Sequence, residues 1–286
     1  MTAMYKVVSD NNDSLDVIIT RFPSGELAVR LDVENREPIR VKNTISVLVQ
    51  GYEPDTLFIL ANIKDALDEM VRTACLNCQI RLFMPYMPHA RYDRHIVDGD
   101  AFALRVFADM MNTLNFDRIM TVDAHSEMTC GLMRRTEERP QWEHAELMFR
   151  KFDIDCDVLV APDAGAQKKI FKVAQHLNKP VVTMTKTRDV KTGNITGMLM
   201  MDELPPNARC LIIDDLCDGG RTFIEAAKVL RGVGASSVDL MVTHGIFSAG
   251  LNNLLDNGID HVYCTDSFKT LDTVGWNGLV NQYNFF

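Results

Sequence analysis

An α/β fold of two tandem domains, each built on a mainly parallel sheet, is what this sequence predicts, and three observations carry the prediction. Short runs rich in Val, Ile and Leu alternate with helical patterns across the 286 residues, as they do when strands of a parallel sheet are joined by crossover helices. The alternation occurs twice, on either side of a charged stretch, Arg134 to Glu143, that contains Pro140. The chain is also longer than one average domain, so two units are expected, 1–143 and 144–286.

In the first half, Thr44 to Val49 reads as a buried strand and Asp55 to Asn77 as a helix, with Leu60, Ile63, Leu67, Met70, Val71 and Ala74 on one face. A strand follows at Ile80 to Met84, then a polar loop, a helix from about Ala101 to Leu114, and a strand at Arg118 to Val122. Before these, Asn11-Asn12-Asp13 reads as a tight turn between β-prone Tyr5 to Val8 and Val17 to Thr20. The second half repeats the plan, with strands at Val158 to Ala161, Val181 to Met184, Cys210 to Ile213 and Val238 to Val242. Its helices are expected at Lys168 to Leu177 and Thr222 to Leu230, and Lys191 to Asn194 reads as a hairpin tip.

Composition narrows the class of protein. With 47% hydrophobic and 24% charged residues, the chain has enough apolar material to fold and enough charge to stay dispersed. No apolar run has bilayer-spanning length, and residues 1–12 lack a basic region followed by an apolar one, so neither membrane insertion nor secretion is expected. Seven scattered cysteines, an odd number, fit free thiols in a reducing cytoplasm better than disulfides. Cys75 and Cys78 close the first helical pattern and read as buried helix cysteines, since a zinc site would need two more ligands at matching spacing. A net charge of −9 argues against a nucleic-acid partner. Yet the cations gather locally, at Arg91, Arg94 and His95, at Lys168 and Lys169, and at Lys186 and Arg188.

The strongest chemical pattern runs from Leu211 to Thr222, where an apolar strand leads into Asp214, Asp215, Asp218, Gly219, Gly220, Arg221 and a helix start. Glycines let backbone amides approach a phosphate, and a helix N-terminus adds unpaired N–H donors and a favourable dipole. Asp214 and Asp215, at the strand's carboxyl end, can accept hydrogen bonds from a vicinal diol. Carboxylates followed by a phosphate cradle read as a ribose-phosphate pocket of residues 214, 215 and 218–222.

This segment resembles the ribose-phosphate loop of type I phosphoribosyltransferases and of ribose-phosphate diphosphokinases, and the second family is matched along nearly the whole chain. Phe22-Pro23-Ser24-Gly25-Glu26 resembles that family's ATP-base segment, Pro85 through Arg91-Tyr92-Asp93-Arg94 its ATP loop, and Asp123-Ala124-His125 its metal-binding histidine. Pro162-Asp163-Ala164-Gly165 resembles a second phosphate and metal turn, and Lys186-Thr187-Arg188 the catalytic flexible loop. The resemblance implies two phosphoribosyltransferase-type, Rossmann-like domains, the first on the ATP and metal side and the second on the ribose-phosphate side. It also implies transfer of the diphosphate of ATP to the anomeric hydroxyl of ribose 5-phosphate, giving phosphoribosyl pyrophosphate for nucleotide biosynthesis. The implied roles are ATP binding for Phe22, Glu26, Arg91, Tyr92, Asp93 and Arg94, and catalysis for Lys186, Arg188, Asp214 and Asp215. His125 and Asp163 are the implied ligands of magnesium. Because a neighbouring subunit's Phe-x-x-Gly-Glu segment completes the adenine pocket in the family, a homo-oligomer of two or more copies is implied as well.

Three departures stand out. The N-terminal region has a turn where the family has a helix, Tyr92 replaces a glutamine, and the family's Asp-Thr-x-Gly-Thr reads Asp218-Gly219-Gly220-Arg221-Thr222. Loss of a hydroxyl at Gly219 and gain of a cation at Arg221 leave a second acceptor open, a ribose whose 5-phosphate is substituted, such as the ADP-ribose of NAD metabolism. A phosphoribosyltransferase would need only the 214–222 loop. A silent regulatory subunit would be marked by loss of His125, Asp163, Lys186 or Arg188, all of which are present.

Overall fold

The computed structural model describes residues 3–33, 40–188 and 195–286, apart from the side chains of 186–188, 195 and 196. The expected tip at 191–194 lies outside them. The chain divides into two compact units, Met1–Arg139 and Pro140–Phe286. The division falls four residues before the expected one, because the charged stretch is not a linker. Its residues Thr136–Arg139 form β7, which pairs in parallel with β6 (Arg118–Val122).

The first unit holds a seven-stranded sheet of order β3-β2-β1-β4-β5-β6-β7. Strands β1 (Met4–Ser9), β2 (Ser14–Arg21) and β3 (Leu27–Leu31) are antiparallel to their neighbours, while β4 (Thr44–Gln50), β5 (Gln79–Phe83), β6 and β7 run parallel. The expected turn joins β1 to β2, with Asn12 at a positive φ of 64° that asparagine tolerates well. Helix α1 (Thr56–Thr73) buries Ile59, Leu60, Ile63 and Leu67, and α2 (Ala103–Thr113) buries Leu104, Phe107, Ala108 and Met111 in the same core. Each of the larger side chains contributes roughly 1.5–3 kcal/mol relative to exposure.

Helix α1 stops at Thr73, short of the expected Asn77. Cys75 turns left-handed at φ 51°, and the N–H groups of Cys75 and Leu76 donate to the carbonyls of Arg72 and Val71. This is a Schellman closure, and it puts Cys75 and Cys78 beyond the helix. All seven cysteines are free thiols, Cys75 exposed and Cys78 half-buried, so neither is the expected buried helix residue.

The second unit has another seven-stranded sheet, β10-β9-β8-β11-β12-β13-β14. Strands β8 (Val158–Ala161), β9 (Val181–Arg188), β11 (Arg209–Cys217), β12 (Ser237–Gly245), β13 (Val262–Thr265) and β14 (Val280–Tyr283) run parallel, and β10 (Ile195–Met200) returns antiparallel beside β9. Continuous apolar runs such as Val158–Ala161 follow from burial on both faces. On one face Leu159, Leu211 and Ile213 pack with Ile170 and Val173 of α5 (Ala164–Leu177) and Met148 of α4 (Gln141–Phe152). On the other, Val160, Ile212 and Leu240 pack with Phe223, Ala227 and Leu230 of α6 (Arg221–Gly232).

Helix α5 begins at Ala164, four residues before the expected Lys168. Asp163 is its N-cap, and its carboxylate accepts from the Ala166 N–H at 3.1 Å, a contact commonly worth about 1 kcal/mol. Among the described residues no helix is long and apolar enough to cross a membrane.

Candidate functional site

In the second unit the strand order reverses between β8 and β11, since β9 lies outward on one side and β12 on the other. Ligands of open α/β sheets bind beyond the carboxyl ends of the strands at such a switch point. Both acidic turns expected from the sequence lie there. Asp163 follows β8, and Asp214 and Asp215 occupy the end of β11. The two neighbouring aspartates differ in surroundings. Asp214 is half-buried, and its Oδ1 accepts from the Asp215 N–H at 2.9 Å. Asp215 is buried, and the Lys169 ammonium donates to its Oδ2 at 3.2 Å.

The loop after β11 is braced from one side by the segment that follows β12. The Cys217 carbonyl accepts from the N–H groups of Ile246 and Phe247, at 2.9 and 3.1 Å, and the Asp218 carbonyl from Ser248 N–H at 3.1 Å. Asn253 Nδ2 donates to the Gly219 carbonyl at 3.3 Å, and Ser248 Oγ donates to Asp218 Oδ1 at 2.6 Å. Across a trans peptide the C=O of one residue and the N–H of the next point in opposite directions. Carbonyls of 218 and 219 aimed at the brace therefore turn the amides of Gly219 and Gly220 the other way. The first N–H groups of α6, at Arg221 and Thr222, continue that row. Gly220 makes the turn at φ 81°. The result is a row of backbone amides facing away from the brace, a candidate anion cradle, with the Asp218 carboxylate tied to Ser248.

Sequence reasoning missed Ser248 and Asn253, and also Lys269, whose ammonium holds the Ile246 carbonyl at 2.6 Å. The available signal was Thr243-His244-Gly245 at the end of a buried strand, where a glycine is forced. A Cβ at Gly245 would come within 2.2 Å of the Phe247 ring.

In the first unit, Phe22 to Glu26 form the tip between β2 and β3, closed by Phe22 N–H to Glu26 carbonyl at 2.9 Å, with Phe22 exposed. Arg91 to Arg94 lie in the loop between β5 and α2, with Arg91, Tyr92 and Arg94 exposed. Asp93 grips Arg94 through two bonds, from Nε at 2.7 Å and Nη2 at 3.1 Å, and its Oδ2 accepts from Ser126 Oγ at 2.7 Å. The structure thus gives Asp93 a positioning task, with Arg94 as the outward cation. His125 is exposed on the turn after β6, beside fully buried Asp123, whose φ of 42° is a strained conformation for a residue with a side chain. Ser126, next to His125, is the link the sequence did not reveal.

Arg94 first, then the Ser126 hydroxyl, hold the Asp93 carboxyl down at about 2 against an ordinary 3.8. A depressed carboxylate stabilises the fold fully above its unfolded pKa and loses that contribution as pH falls through the folded one. Asp93→Asn is therefore expected to unfold at a lower temperature than the parent at pH 7, with the gap closing as pH falls from about 4 to about 2. Thermal melts across that range check it, and a gap independent of pH would refute the assignment.

Among the described residues no group of three or more His, Cys, Asp and Glu gathers to hold a metal ion. A hard divalent cation that takes one or two side chains and fills its shell from phosphates and water suits donors of this kind. Exposed His125 and half-buried Asp163, each at the carboxyl edge of its own sheet, fit that description. Lys186 and Arg188 lie on β9, opposite Met198 and Ile195 of β10, and their side chains lie outside the described residues.

Comparison with known proteins agrees with this geometry. The phosphoribosyl transferase domain family matches residues 143–264. A ribose-phosphate pyrophosphokinase of Corynebacterium efficiens is 30% identical over 268 residues, covering 90% of this chain and 78% of the relative. The chain belongs to the ribose-phosphate pyrophosphokinase family. A member from Pyrococcus furiosus is 28% identical over 259 residues, covering 89% of this chain and 87% of its own length. The crystal structure of phosphoribosylpyrophosphate synthetase from Mycobacterium smegmatis superposes with a TM-score of 0.74 at 23% identity, covering 96% of this chain and 87% of that one. The fold expected from the sequence, two phosphoribosyltransferase-type α/β domains, is the fold of this pyrophosphokinase family.

Proposed function

We propose that this enzyme transfers the diphosphate of ATP to the anomeric hydroxyl of ribose 5-phosphate. The observation that carries the reading is the pair of acidic turns at the switch point of the second sheet, next to an amide cradle held open by its brace. The cradle takes the 5-phosphate, and Asp214 and Asp215 accept hydrogen bonds from the ribose hydroxyls. The first unit binds ATP through Arg91 and Arg94, with Tyr92 beside them and Asp93 fixing Arg94. Phe22 and Glu26 complete the adenine site from a neighbouring copy of the chain.

In the reaction a bond forms between the anomeric oxygen and the β-phosphorus as the hydroxyl proton passes to solvent, and the bond from that phosphorus to the α,β-bridging oxygen breaks, releasing AMP. Lys186 and Arg188 neutralise charge on the group in transit. Such transfers are accelerated mainly by positioning and electrostatic stabilisation. His125 and Asp163 contribute ligands to magnesium, which when bound neutralises phosphate oxygens. His125→Ala and Asp163→Ala are expected to raise the magnesium concentration needed for half-maximal activity severalfold while the far-UV spectrum stays that of the parent. Metal titrations superimposable on the parent would remove both residues from the ligand set.

The loop favours a second acceptor reading on one specific ground. A Cβ at Gly219 would meet nothing nearer than Ser248 Oγ at 3.9 Å, and Arg221 beside it is exposed. Open space at residue 219 and an exposed cation at 221 support an acceptor that carries a diphosphate, such as ADP-ribose. AMP release from magnesium-ATP is measured with ribose 5-phosphate and with ADP-ribose in parallel. Release with ribose 5-phosphate at the higher kcat/KM establishes the first reading, a preference for ADP-ribose replaces it with the second, and no release with either refutes both.

A further inference from the structure

Asp214 and Asp215 are adjacent in sequence, yet strand alternation sends them to opposite faces of the sheet. Leu211 and Ile213 belong to the layer that packs with α5, which puts Asp215 on the α5 side, whereas Ile212 and therefore Asp214 lie on the α6 side. Asp214 is steadied by a backbone amide at 2.9 Å. The Asp215 side chain is 8% exposed, and the ammonium of Lys169 meets it at 3.2 Å. A carboxylate this deeply buried is costly unless paired, and removing one partner of a buried pair costs far more than the pair itself contributes.

Lys169 is placed for this by the helix that the sequence reading began too late. Because Asp163 caps α5 at Ala164, Lys169 falls in the second turn and reaches back to the strand edge. Helix α5 leaves from β8 and Asp215 ends β11, so the ion pair crosses the two strands between which the sheet order reverses. One bond ties together the two turns that form the switch-point crevice.

On the diphosphokinase reading above, we infer that Lys169 is a positioning residue for the acceptor: it holds Asp215 at the switch-point crevice in the orientation that accepts a hydrogen bond from a ribose hydroxyl. Lys169 acts through Asp215, whose carboxylate is the group that touches the sugar. Its loss removes the 3.2 Å contact to Asp215 Oδ2, and the carboxyl group is no longer held from the α5 side. The damage falls on the acceptor and spares ATP.

The test is steady-state AMP release by the full chain with magnesium-ATP and ribose 5-phosphate. Lys169→Met is expected to raise KM for the acceptor about tenfold or more, with a smaller change in kcat and KM for ATP within about twofold of the parent. Lys169→Arg, which keeps the charge, recovers part of the loss. In an Asp215→Asn background, adding Lys169→Met changes acceptor KM little, since the group it positions is already neutral. That charge-free pair also decides the matter if Lys169→Met alone fails to fold. An unchanged acceptor KM in Lys169→Met, an equal rise for ATP, or a further tenfold rise on adding Lys169→Met to Asp215→Asn each overturns the inference while leaving the diphosphokinase reading intact. No AMP from the parent enzyme with ribose 5-phosphate overturns both.

Discussion

Replacing Lys186 or Arg188 by alanine is expected to lower kcat by about a hundredfold or more while KM for ATP changes only a few-fold. The reason lies in when charge appears. On the proposed reading, ATP in its ground state already meets magnesium and the cations of the first unit, whereas the group in transit gathers negative charge on its equatorial oxygens as the bridging bond breaks. A cation that meets those oxygens only then stabilises the transition state and not the bound substrate, so its loss shows in kcat. Strand β9 extends to Arg188, four residues past its expected end, so both residues stand on a paired strand whose partner is β10. Rapid-quench measurement of AMP formation, with ATP affinity measured separately by equilibrium binding, separates the two effects. Two variants with parental kcat would remove Lys186 and Arg188 from the chemistry. A rise confined to the dissociation constant for ATP would make them binding residues.

The parts of the fold legible in the sequence are those whose burial leaves a mark on composition. Strands β8 and β11 sit between helical layers, and their continuous apolar runs could hardly be anything but strands. Strand β7 left no such mark: Thr136-Glu137-Glu138-Arg139 has no apolar residue, and it joins the sheet edge through its backbone. The start of α5 was obscured for a different reason. Asp163-Ala164-Gly165 has turn composition, and here the same aspartate that suggests a turn is the helix cap.

The candidate site divides along similar lines. Acids and glycines that follow a strand declare themselves locally, so residues 163 and 214–222 could be found by reading along the chain. Their supports could not. Ser126 meets Asp93 across 33 residues, Ser248 meets Asp218 across 30, and Lys169 meets Asp215 across 46. Serine and lysine are common surface residues, and only the folded chain gives these three a task.

Gly220→Ala is expected to damage the second unit through both the backbone and the space around it. At φ 81° the residue sits where a side chain costs about 1–2 kcal/mol. The added Cβ would also lie 2.7 Å from Leu254 Cδ2, and crowding a packed site costs about 1–3 kcal/mol more. Leu254 is itself buried, so it cannot simply swing aside. Relief comes most readily by rotating the peptide planes around residue 220, which are the planes that aim the cradle amides. Function should then fall with stability. Each charge-assisted bond to a phosphate is worth about 1.5–3 kcal/mol, so losing one raises KM for the acceptor roughly tenfold to a hundredfold. Gly219→Ala is the matched control, because a Cβ there meets nothing nearer than 3.9 Å, and its melting temperature should stay close to the parent's. Combining Gly220→Ala with Leu254→Ala separates the two causes: the crowding is removed and the backbone cost remains, so acceptor KM should recover only as far as the penalty at φ alone allows. A Gly220→Ala enzyme as stable as the parent, with parental acceptor KM, would mean that the loop takes up phosphate in another conformation than the braced one seen here.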